Sequence, residues 1–426
     1  MQIKSFLQNK KKNRKERGQA MILIVFSIVG LIGASALAID GVNAFIDRRR
    51  ADTAASAAAL TAALTRIEGG NWRAAALATA AANGYNNDGV TNTVELNTPP
   101  LNGDYTGNSE YIEVIVTSHL RTYFGSVIGI PEITSISRVI SQSKPAVLGE
   151  LFGGYALVSL APHSRCDILR KSFWIHSEAT INLEGGGLFV NSDNAECAFI
   201  SYGSGSVRVR DTSPISVVGG ALVQKPKLIT PFPMQTGVTP IPYPPSIKYP
   251  KVDCGDKNAT VDKETESIMS PGNWDEDVFP PDGVTTLKSG IYCLTGDFIV
   301  NAGQHLEGSN VLFFIDGGRV GISGNATVRF SAPTGGNFQG LLFFVPIGNH
   351  SIIALNGSDD SSYRGTIFAP GADVRINGLD AVGGAAYHSQ IIGYYVEVDG
   401  NDNIYIKYKD EQNYDALKMP EVLLIQ

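Results

Sequence analysis

The chain has 426 residues, of which 43% are hydrophobic and 18% are charged, and its formal net charge at pH 7 is −7. This length indicates two or three domains rather than one. Seven basic residues are concentrated before residue 18, so the rest of the chain is more acidic than the total suggests. An acidic chain lacks the basic face that nucleic acid binding requires, and we expect no nucleic acid partner.

A basic segment, residues 1–19, precedes twenty uncharged residues, 20–39. Twenty helical residues cover the roughly 30 Å hydrocarbon core of a bilayer. A secretory signal has an apolar region of only about 7–15 residues, followed by a small-residue cleavage site such as residues 36–38 could provide. Here the apolar pattern runs through that site and ends at Asp40, with three arginines at 48–50. We therefore predict a retained transmembrane helix at 20–39.

The flanking charge predicts the orientation of this helix. Lysine and arginine are in excess before the span, which places the N-terminus in the cytoplasm and everything after residue 40 outside the cell. We thus predict a single-pass protein of the cell membrane with an extracellular C-terminal domain. Gly30, Gly33 and Ala34 give the helix a small-residue surface that permits close helix packing and self-association. The alternative is that small residues are simply common in membrane helices.

The segment 40–145 is predicted to form an alanine-rich helix and a small α/β neck. Residues 51–65 are almost all Ala, Leu, Thr and Ser, and alanine is the best helix former. Gly69 and Gly70 interrupt the helix, and Asn71 can cap a second helix that continues to about Ala82. An alternating strand follows at 111–116.

The N-terminal motifs form a recognisable series. Residues 17–20 read RGQA, the span ends with ALAIDG at 36–41, Phe45 and the arginines at 48–50 follow, and residues 51–60 read ADTAASAAAL. This series resembles the N-terminal module of TadG-like proteins, which are encoded with the tight-adherence (Flp) pilus machinery of bacteria. The resemblance covers residues 17–66 closely. It implies a membrane anchor and an association with pilus or secretion machinery, and it implies no particular activity.

Residues 146–426 are rich in short β-runs closed by Gly, Asn or Asp, and these runs recur every 20–30 residues. Some runs are continuously apolar, such as 311–315 and 341–345, whereas others alternate, such as 373–378 and 404–408. This spacing is typical of a solenoid, and we predict a large β-helix ectodomain, with a β-sandwich as the alternative. Short glycine-turn motifs, such as GGGLFVNS at 185–192, resemble the β-helical ectodomains that often follow this anchor.

A proline-rich segment occupies residues 225–253. Proline at this density excludes a helix or a central strand and favours an extended polyproline-like path. The segment is either a linker or a strap along the solenoid. We prefer the strap, because Phe232, Tyr243 and Tyr249 need a surface to pack on.

The four cysteines are Cys166, Cys197, Cys254 and Cys293. An even number in an exported domain indicates disulfides, and four cysteines allow three connectivities. We favour the sequential pairs Cys166–Cys197 and Cys254–Cys293. The spacings do not match those of a zinc site, since no C-x-x-C occurs.

The sequence carries no hydrolase elbow, zinc-protease or phosphate-loop motif, so we do not predict an enzyme. Most aspartates of the C-terminal half lie beside Gly, Asn or Ser, where aspartate forms turns. A carbohydrate-active enzyme on the β-helix is an alternative. It would need three or more carboxylates on neighbouring coils, drawn from candidates such as Asp373, Asp380 and Asp399.

Two turns offer clustered hard oxygen atoms that could bind calcium, with an ordinary Asx turn as the alternative. Their candidate ligands are Asn86, Asp88, Asp399 and Asp402. Exposed aromatics could bind surface glycans, although such residues are more often part of a core. The aromatic candidates are Trp174, Trp274, Tyr387, Tyr394 and Tyr395.

These observations predict a membrane-anchored surface protein with a structural or adhesive role, associated with a tight-adherence-type pilus or with the cell envelope. A pseudopilin-like filament subunit, processed near Gly18, is one alternative. Prepilin-type sites usually have a glutamate early in the mature chain, whereas residues 22–24 here are apolar. The β-helix carbohydrate-active enzyme is the other alternative.

Overall fold

The structure, a computed structural model, describes residues 16–167, 170–378, 386–401 and 403–425. The chain is mainly β, with a long apolar helix near its N-terminus. It divides into two compact units. The N-terminal unit comprises Met1–Ala146 and Pro420–Gln426, and the C-terminal unit comprises Val147–Met419.

Two helices lie in the N-terminal unit. The long helix, Glu16–Ile67, joins the apolar span and the alanine-rich segment in 52 unbroken residues. It is the helix of the described chain that is long and apolar enough to cross a membrane. The short helix is Trp72–Ala82, and the Asn71 side chain accepts a hydrogen bond from the Ala74 N–H at 3.1 Å. That bond satisfies one of the free N–H groups with which a helix begins.

An antiparallel sheet completes this unit, with four strands in the spatial order Asn92–Asn97, Tyr111–Arg121, Glu132–Lys144 and Glu421–Ile425. The alanines of the long helix pack against it and against the short helix. Because alanine is small, the helix backbone comes close to the sheet. The Ser141 hydroxyl donates to the Ala59 carbonyl at 2.8 Å, and the Ser143 hydroxyl donates to the Ala63 carbonyl at 3.3 Å. The alanine-rich helix is therefore fixed on the sheet.

Three long sheets build the C-terminal unit. The first contains, in spatial order, Ile229–Thr230, Ser206–Val209, Thr180–Glu184, Asn403–Lys407, Ala386–His388, Ser362–Arg364, Thr327–Ser331, His305–Gly308, Thr286–Leu287, Ile268–Ser270 and Thr260–Val261. The second contains Gln235–Thr236, Ile215–Val217, Leu188–Val190, Leu157–Ser159, Ile391–Gly393, Thr366–Ala369, Leu341–Phe344, Val311–Ile315, Gly290–Leu294 and Gly272–Trp274. The third contains Ala221–Val223, Phe199–Ser201, Phe173–Ile175, Val396–Gly400, Asp373–Gly378, Ile352–Leu355, Val320–Ile322, Asp297–Val300 and Val278–Phe279.

Smaller elements accompany these sheets. A three-stranded antiparallel sheet contains Ile247–Lys248, Asp415–Lys418 and Val147–Glu150. Short 3-10 turns lie at Gly125–Ile128 in the N-terminal unit and at Leu151–Gly153, Pro226–Leu228 and Asp410–Gln412 in the C-terminal unit.

Strands within the three sheets pair in parallel, except for Thr260–Val261, which pairs antiparallel with Ile268–Ser270. Consecutive strands enter the second, third and first sheets in rotation, as in the series Leu157–Ser159, Phe173–Ile175, Thr180–Glu184. Side chains of all three sheets contribute to one buried apolar core. This arrangement is consistent with the predicted β-helix, whereas β-sandwiches are built from antiparallel sheets.

The order of the strands is not simply sequential. The early strand Thr180–Glu184 pairs on one side with Ser206–Val209 and on the other with the late strand Asn403–Lys407. The chain therefore starts within the stack and builds three turns toward one end. It then resumes at the opposite end and returns to its starting point.

The proline-rich segment connects these two ends and lies along the second sheet. The Asn191 side chain binds both backbone groups of Ile241 in this segment. The Ile241 N–H donates to Asn191 Oδ1 at 2.7 Å, and Asn191 Nδ2 donates to the Ile241 carbonyl at 2.8 Å. Further along, the Tyr243 hydroxyl donates to the Pro370 carbonyl at 3.2 Å, and Tyr249 stacks on Phe368. The segment is a strap rather than a free linker.

The strap explains why some strands are continuously apolar. Phe313 and Phe343 of the second sheet face the common core. Leu312 and Phe344, their neighbours in sequence, face the opposite side, in a second apolar cluster that includes residues of the strap. A sheet covered on both faces needs apolar residues at every position, as in other parallel sheets.

Two disulfides lie in the C-terminal unit. Cys166 is bonded to Cys197, with Cα atoms 5.6 Å apart, and Cys254 is bonded to Cys293, with Cα atoms 6.0 Å apart. The second bond ties the end of the strap to the strand Gly290–Leu294.

The close approach of successive turns can be tested with a pair of glycine substitutions. A Cβ at Gly220 would lie 1.8 Å from the Ala195 carbonyl oxygen of the neighbouring turn, whereas a Cβ at Gly348 meets nothing within 4 Å. Overpacking of this kind costs about 1–3 kcal/mol or more. We expect Gly220→Ala to lower the denaturant midpoint of the full chain and Gly348→Ala to leave it nearly unchanged. Equal midpoints for the two variants would contradict the stacking described above.

Candidate functional site

Asp40 marks the point where the apolar span of the long helix ends. Its carboxylate accepts three backbone hydrogen bonds from the turn between strands Tyr111–Arg121 and Glu132–Lys144. The Tyr123 N–H donates to Oδ1 at 2.9 Å, and the N–H groups of Phe124 and Gly125 donate to Oδ2 at 3.0 and 2.7 Å. The side chain is 7% exposed. We call this contact the Asp40 latch.

The latch forms because the turn presents free donors. The 3-10 turn Gly125–Ile128 begins here, and the first N–H groups of such a turn have no partner within it. Burial opposes the charge on Asp40, but the three N–H donors outweigh it and lower the pKa of this carboxyl below its ordinary value. Asp40 is therefore ionised at neutral pH, and it fixes the hairpin against the helix.

A second cluster of functional groups lies on the outer face of the third sheet, in the C-terminal unit. We call it the polar patch. It combines side chains from neighbouring strands and from the loop before them: Lys171, Trp174, His176, Asp373, Arg375, Glu397 and Asp399. The strand register brings them together, because Arg375 pairs with Glu397 and Glu397 pairs with Trp174 on successive strands.

Ion pairs and hydrogen bonds connect the members of the polar patch. Arg375 Nε lies 3.2 Å from Glu397 Oε2. His176 bridges two carboxylates, with Nε2 3.0 Å from Glu397 Oε1 and Nδ1 3.1 Å from Asp399 Oδ1. The Ser177 hydroxyl also donates to Asp399, at 2.5 Å. Charges of both signs are thus held in fixed positions.

The Trp174 ring is already covered within the patch. Lys171 Nζ lies 3.2 Å from the ring centroid, and the His176 ring stacks on it at 3.8 Å. The buried Nε1–H has no acceptor among the described residues. A ligand would therefore meet charged and hydrogen-bonding groups here rather than a bare aromatic face.

Burial and neighbouring groups shift the pKa values of several patch residues. Burial raises the pKa of Asp373 more than the nearby Arg375 lowers it. It also lowers the pKa of Lys171, against the opposing effect of Glu397 and Asp167. For Asp399 burial acts to raise the pKa, but the Ser177 hydroxyl, the Gly400 N–H and His176 together lower it. Shifted carboxyls of this kind concentrate at binding and catalytic sites, although structural ion pairs shift them as well.

A shallow pocket of about 80 Å³ opens at the patch between Trp174, Asp373 and Tyr395. Its size suits one polar group or one sugar hydroxyl cluster rather than a whole polymer segment. The sequence did not indicate Lys171, His176, Arg375 or Glu397 as site residues. Lys171 and His176 precede Arg375 and Glu397 by about 200 residues in the chain. Only the return of the late strands beside the early ones brings the two pairs together.

The predicted calcium ligands lie in different surroundings. The carboxylate of Asp88 accepts hydrogen bonds from the N–H groups of Val90, Thr91 and Asn92 and from the Thr91 hydroxyl, so calcium would have to displace them. Asn86 accepts a hydrogen bond from the Asn92 side chain. This geometry favours the Asx turn, and it lowers the pKa of Asp88. Calcium binding there stays a prediction.

At the other turn, Asp399 is part of the polar patch, and Asp402 lies outside the described residues, as does the candidate carboxylate Asp380. No group of three or more His, Cys, Asp or Glu that could hold a metal ion occurs in the part of the chain that the structure describes. Calcium at Asp399 stays a prediction as well.

The other aromatic candidates serve packing to different degrees. Tyr387 is 2% exposed and stacks on Tyr363 inside the core. Trp274 packs on the core edge and donates from Nε1 to the Val278 carbonyl at 2.9 Å. Tyr394 contacts Tyr243 of the strap. Only Trp174 and Tyr395 lie at the polar patch.

Comparison with known proteins gives a match for the N-terminal segment. Residues 18–66 match a family model described as "Putative Flp pilus-assembly TadE/G-like". The match covers the apolar span, Asp40 and the alanine-rich part of the long helix, and it confirms the TadG-like resemblance of this segment. Neither the curated proteins nor the solved structures gave a match to the chain.

Removal of the Asp40 carboxylate should release the hairpin. In Asp40→Ala, the amides of Tyr123, Phe124 and Gly125 lose their acceptor, and we expect their hydrogen exchange in nanodiscs to speed up about tenfold or more. Asp52→Ala, at an exposed position of the same helix, serves as the control. Unchanged exchange at all three amides in Asp40→Ala would show that the latch does not hold the turn.

Ionisation of Asp373 should lower the stability of the folded protein, and the effect should depend on pH. Because its pKa is raised in the folded protein, its contribution to stability is largest below about pH 4 and falls as the pH rises through the raised value. Asp373→Asn removes the charge while keeping the shape. We expect the variant to have a higher unfolding midpoint than the native chain at pH 7 and an equal midpoint at pH 3.5.

The matched control is Asp316→Asn, at an exposed turn of the same unit, which should change the midpoint little at either pH. A lower midpoint for Asp373→Asn at pH 7 would mean that Arg375 stabilises the charge more than burial penalises it.

Proposed function

We propose that this chain is a membrane-anchored cell-surface protein with a structural or adhesive role in Flp/tight-adherence-type pilus assembly or in the cell envelope. The observation that carries the proposal is the TadE/G-like match at residues 18–66, which coincides with the one long apolar helix of the described chain. An apolar helix and a pilus-family segment at the same residues favour an anchor over the core helix of a soluble protein. The side chains of the span support this, because they are exposed and pack on little else.

The proposed topology places the N-terminus in the cytoplasm and the C-terminal unit outside. It rests on the seven basic residues that precede the span. The two disulfides support it, because disulfides persist in oxidising compartments and are rare in the cytosol.

For the C-terminal unit we propose a β-helix that displays a binding surface. Parallel strands entering three sheets in rotation support this assignment, since a solenoid pairs each turn with the next. The polar patch is the candidate contact surface, and surface glycans are its candidate ligands. With Trp174 covered, it would bind them through charge and hydrogen bonds.

A carbohydrate-active enzyme is the second candidate. It is favoured by Asp373, Glu397 and Asp399, which are three carboxylates on two adjacent strands of one sheet. Carboxylate pairs with separated pKa values are the groups that cleave glycosidic bonds. Incubation of the full chain with a polysaccharide panel distinguishes the two candidates, because binding without new reducing ends supports adhesion and new reducing ends support the enzyme.

The pilus association can be tested by exchange of the span. One variant replaces residues 20–39 with an unrelated leucine-alanine helix of equal length and keeps every other residue. We expect crosslinking in native membranes to capture Flp pilus-assembly components with the native chain, because the small residues of its span allow close helix packing. We expect the replaced span to capture clearly less, at equal membrane content of both proteins.

Equal capture with both helices would indicate that another part of the chain makes the association. Capture of no pilus-assembly component with either would contradict the proposed association.

A further inference from the structure

The turn that the Asp40 latch holds is itself an unusual surface. We call residues 123–130 the hairpin tip. No charged residue occurs in it, and the side chains of Tyr123, Val127 and Ile130 are 74%, 85% and 50% exposed. Contiguous exposed apolar side chains mark a surface that another apolar phase covers.

The hairpin tip lies alongside the span of the long helix. A groove of about 450 Å³ separates the two and is apolar on both walls. Val29, Ile32 and Leu37 line it from the helix, and Phe124, Val127 and Ile130 line it from the tip. Val29 precedes Asp40 by eleven residues, so the groove extends about 16 Å along the helix into the span.

The latch sets the position of the tip. Three N–H groups bind the Asp40 carboxylate, and the tip is closed on itself by hydrogen bonds from the Ile130 N–H to the Gly125 carbonyl at 2.8 Å and from the Thr122 hydroxyl to the Ile130 carbonyl at 2.5 Å. The tip is thus a closed turn held beside the helix, and its direction is toward the apolar residues that precede Asp40.

Charged residues begin on the two strands directly next to the hairpin tip. Arg121 pairs with Glu132 across the strands, and His119 Nδ1 lies 2.7 Å from Glu132 Oε1. Charged and polar residues next to an apolar tip that contains Tyr and Phe are the pattern found at the boundary between lipid headgroups and acyl chains.

We propose that the hairpin tip inserts into the bilayer leaflet that surrounds the C-terminal end of the span, with acyl chains filling the groove. The inference rests on the proposed function, in that residues 20–39 cross the membrane. Val29, Ile32 and Val127 line the same groove, so lipid that fills the groove contacts both the span and the tip. An insertion depth equal to one turn of the long helix, about 5 Å, falls within the 5–10 Å depth of interfacial segments.

The second membrane contact would have a mechanical consequence. A single helix can rotate and tilt within a bilayer, whereas a helix with a rigid inserted loop beside it has a fixed rotation. The alanine-rich part of the long helix continues the span without a break. The tip would therefore orient the N-terminal unit relative to the membrane.

Fluorescent labels at three positions of the full chain in single-copy nanodiscs test the proposal. The labelled variants are Val127→Cys at the tip, Leu31→Cys in the span and Val90→Cys at an exposed site of the same unit, where the native side chains are 85%, 68% and 73% exposed. The native cysteines are paired, so each variant has one free thiol. Quenching is measured with lipids that carry a nitroxide on the acyl chain and with aqueous iodide.

We expect the labels at 127 and 31 to be quenched by the lipid nitroxide and protected from iodide, and the label at 90 to show the reverse. A label at 127 that behaves like the label at 90, while the label at 31 meets lipid, would overturn the inserted tip and leave the anchor intact. A label at 31 that meets iodide would overturn the anchor itself. A label at 127 shielded from both quenchers would show that protein rather than lipid covers the tip.

Discussion

Parallel pairing between successive turns is the interaction on which the C-terminal unit depends. Each turn contributes one short strand to each sheet, and strands of two to six residues are too short to be stable alone. They persist because each, except the strand at either end of a sheet, is paired on both sides, and because they bury apolar side chains in a shared core. This demand explains two other features. The chain returns late strands such as Asn403–Lys407 to early ones, which pairs an edge that would otherwise be open. The strap covers the outer face of the second sheet, which is apolar.

Much of this architecture is visible in the sequence, because its signals are local. The predicted strand at 311–315 coincides with Val311–Ile315, and the predicted end of the second helix, at about Ala82, coincides with the end of Trp72–Ala82. Glycine and asparagine punctuate turns without help from distant residues. The sequence distinguishes continuously apolar strands from strands in which apolar and polar residues alternate, but it does not show why they differ. The cause of the difference is the strap. Its contact with the second sheet depends on hydrogen bonds such as those of Asn191 and Tyr243, whose partners are distant in sequence.

The two candidate sites differ in how much of each can be predicted from the sequence. Asp40 stands in a recognisable series just after the span, and the family match includes it, so its importance could be inferred before its role. Its partners are backbone N–H groups more than 80 residues away, which no side-chain pattern announces. Of the polar patch, the sequence indicates only three residues: Trp174 as a candidate for glycan binding, and Asp373 and Asp399 as candidate carboxylates of an enzyme, with Asp399 also a candidate calcium ligand. Lys171, His176, Arg375 and Glu397 become a cluster only because the last strands of the stack lie beside the first.

Membrane retention of the long helix is the central claim, because the inserted tip and the display of the C-terminal unit both presuppose it. The most direct test is the N-terminal mass of the protein recovered from membranes and from sheared surface material. Retention predicts an intact N-terminus at Met1 or Gln2 in the membrane fraction. A start at Gln19 or Ala20 in sheared material would contradict it and indicate a processed filament subunit. A start just after Ala36 or Ala38 would also contradict it and indicate a cleaved signal and a freely secreted protein.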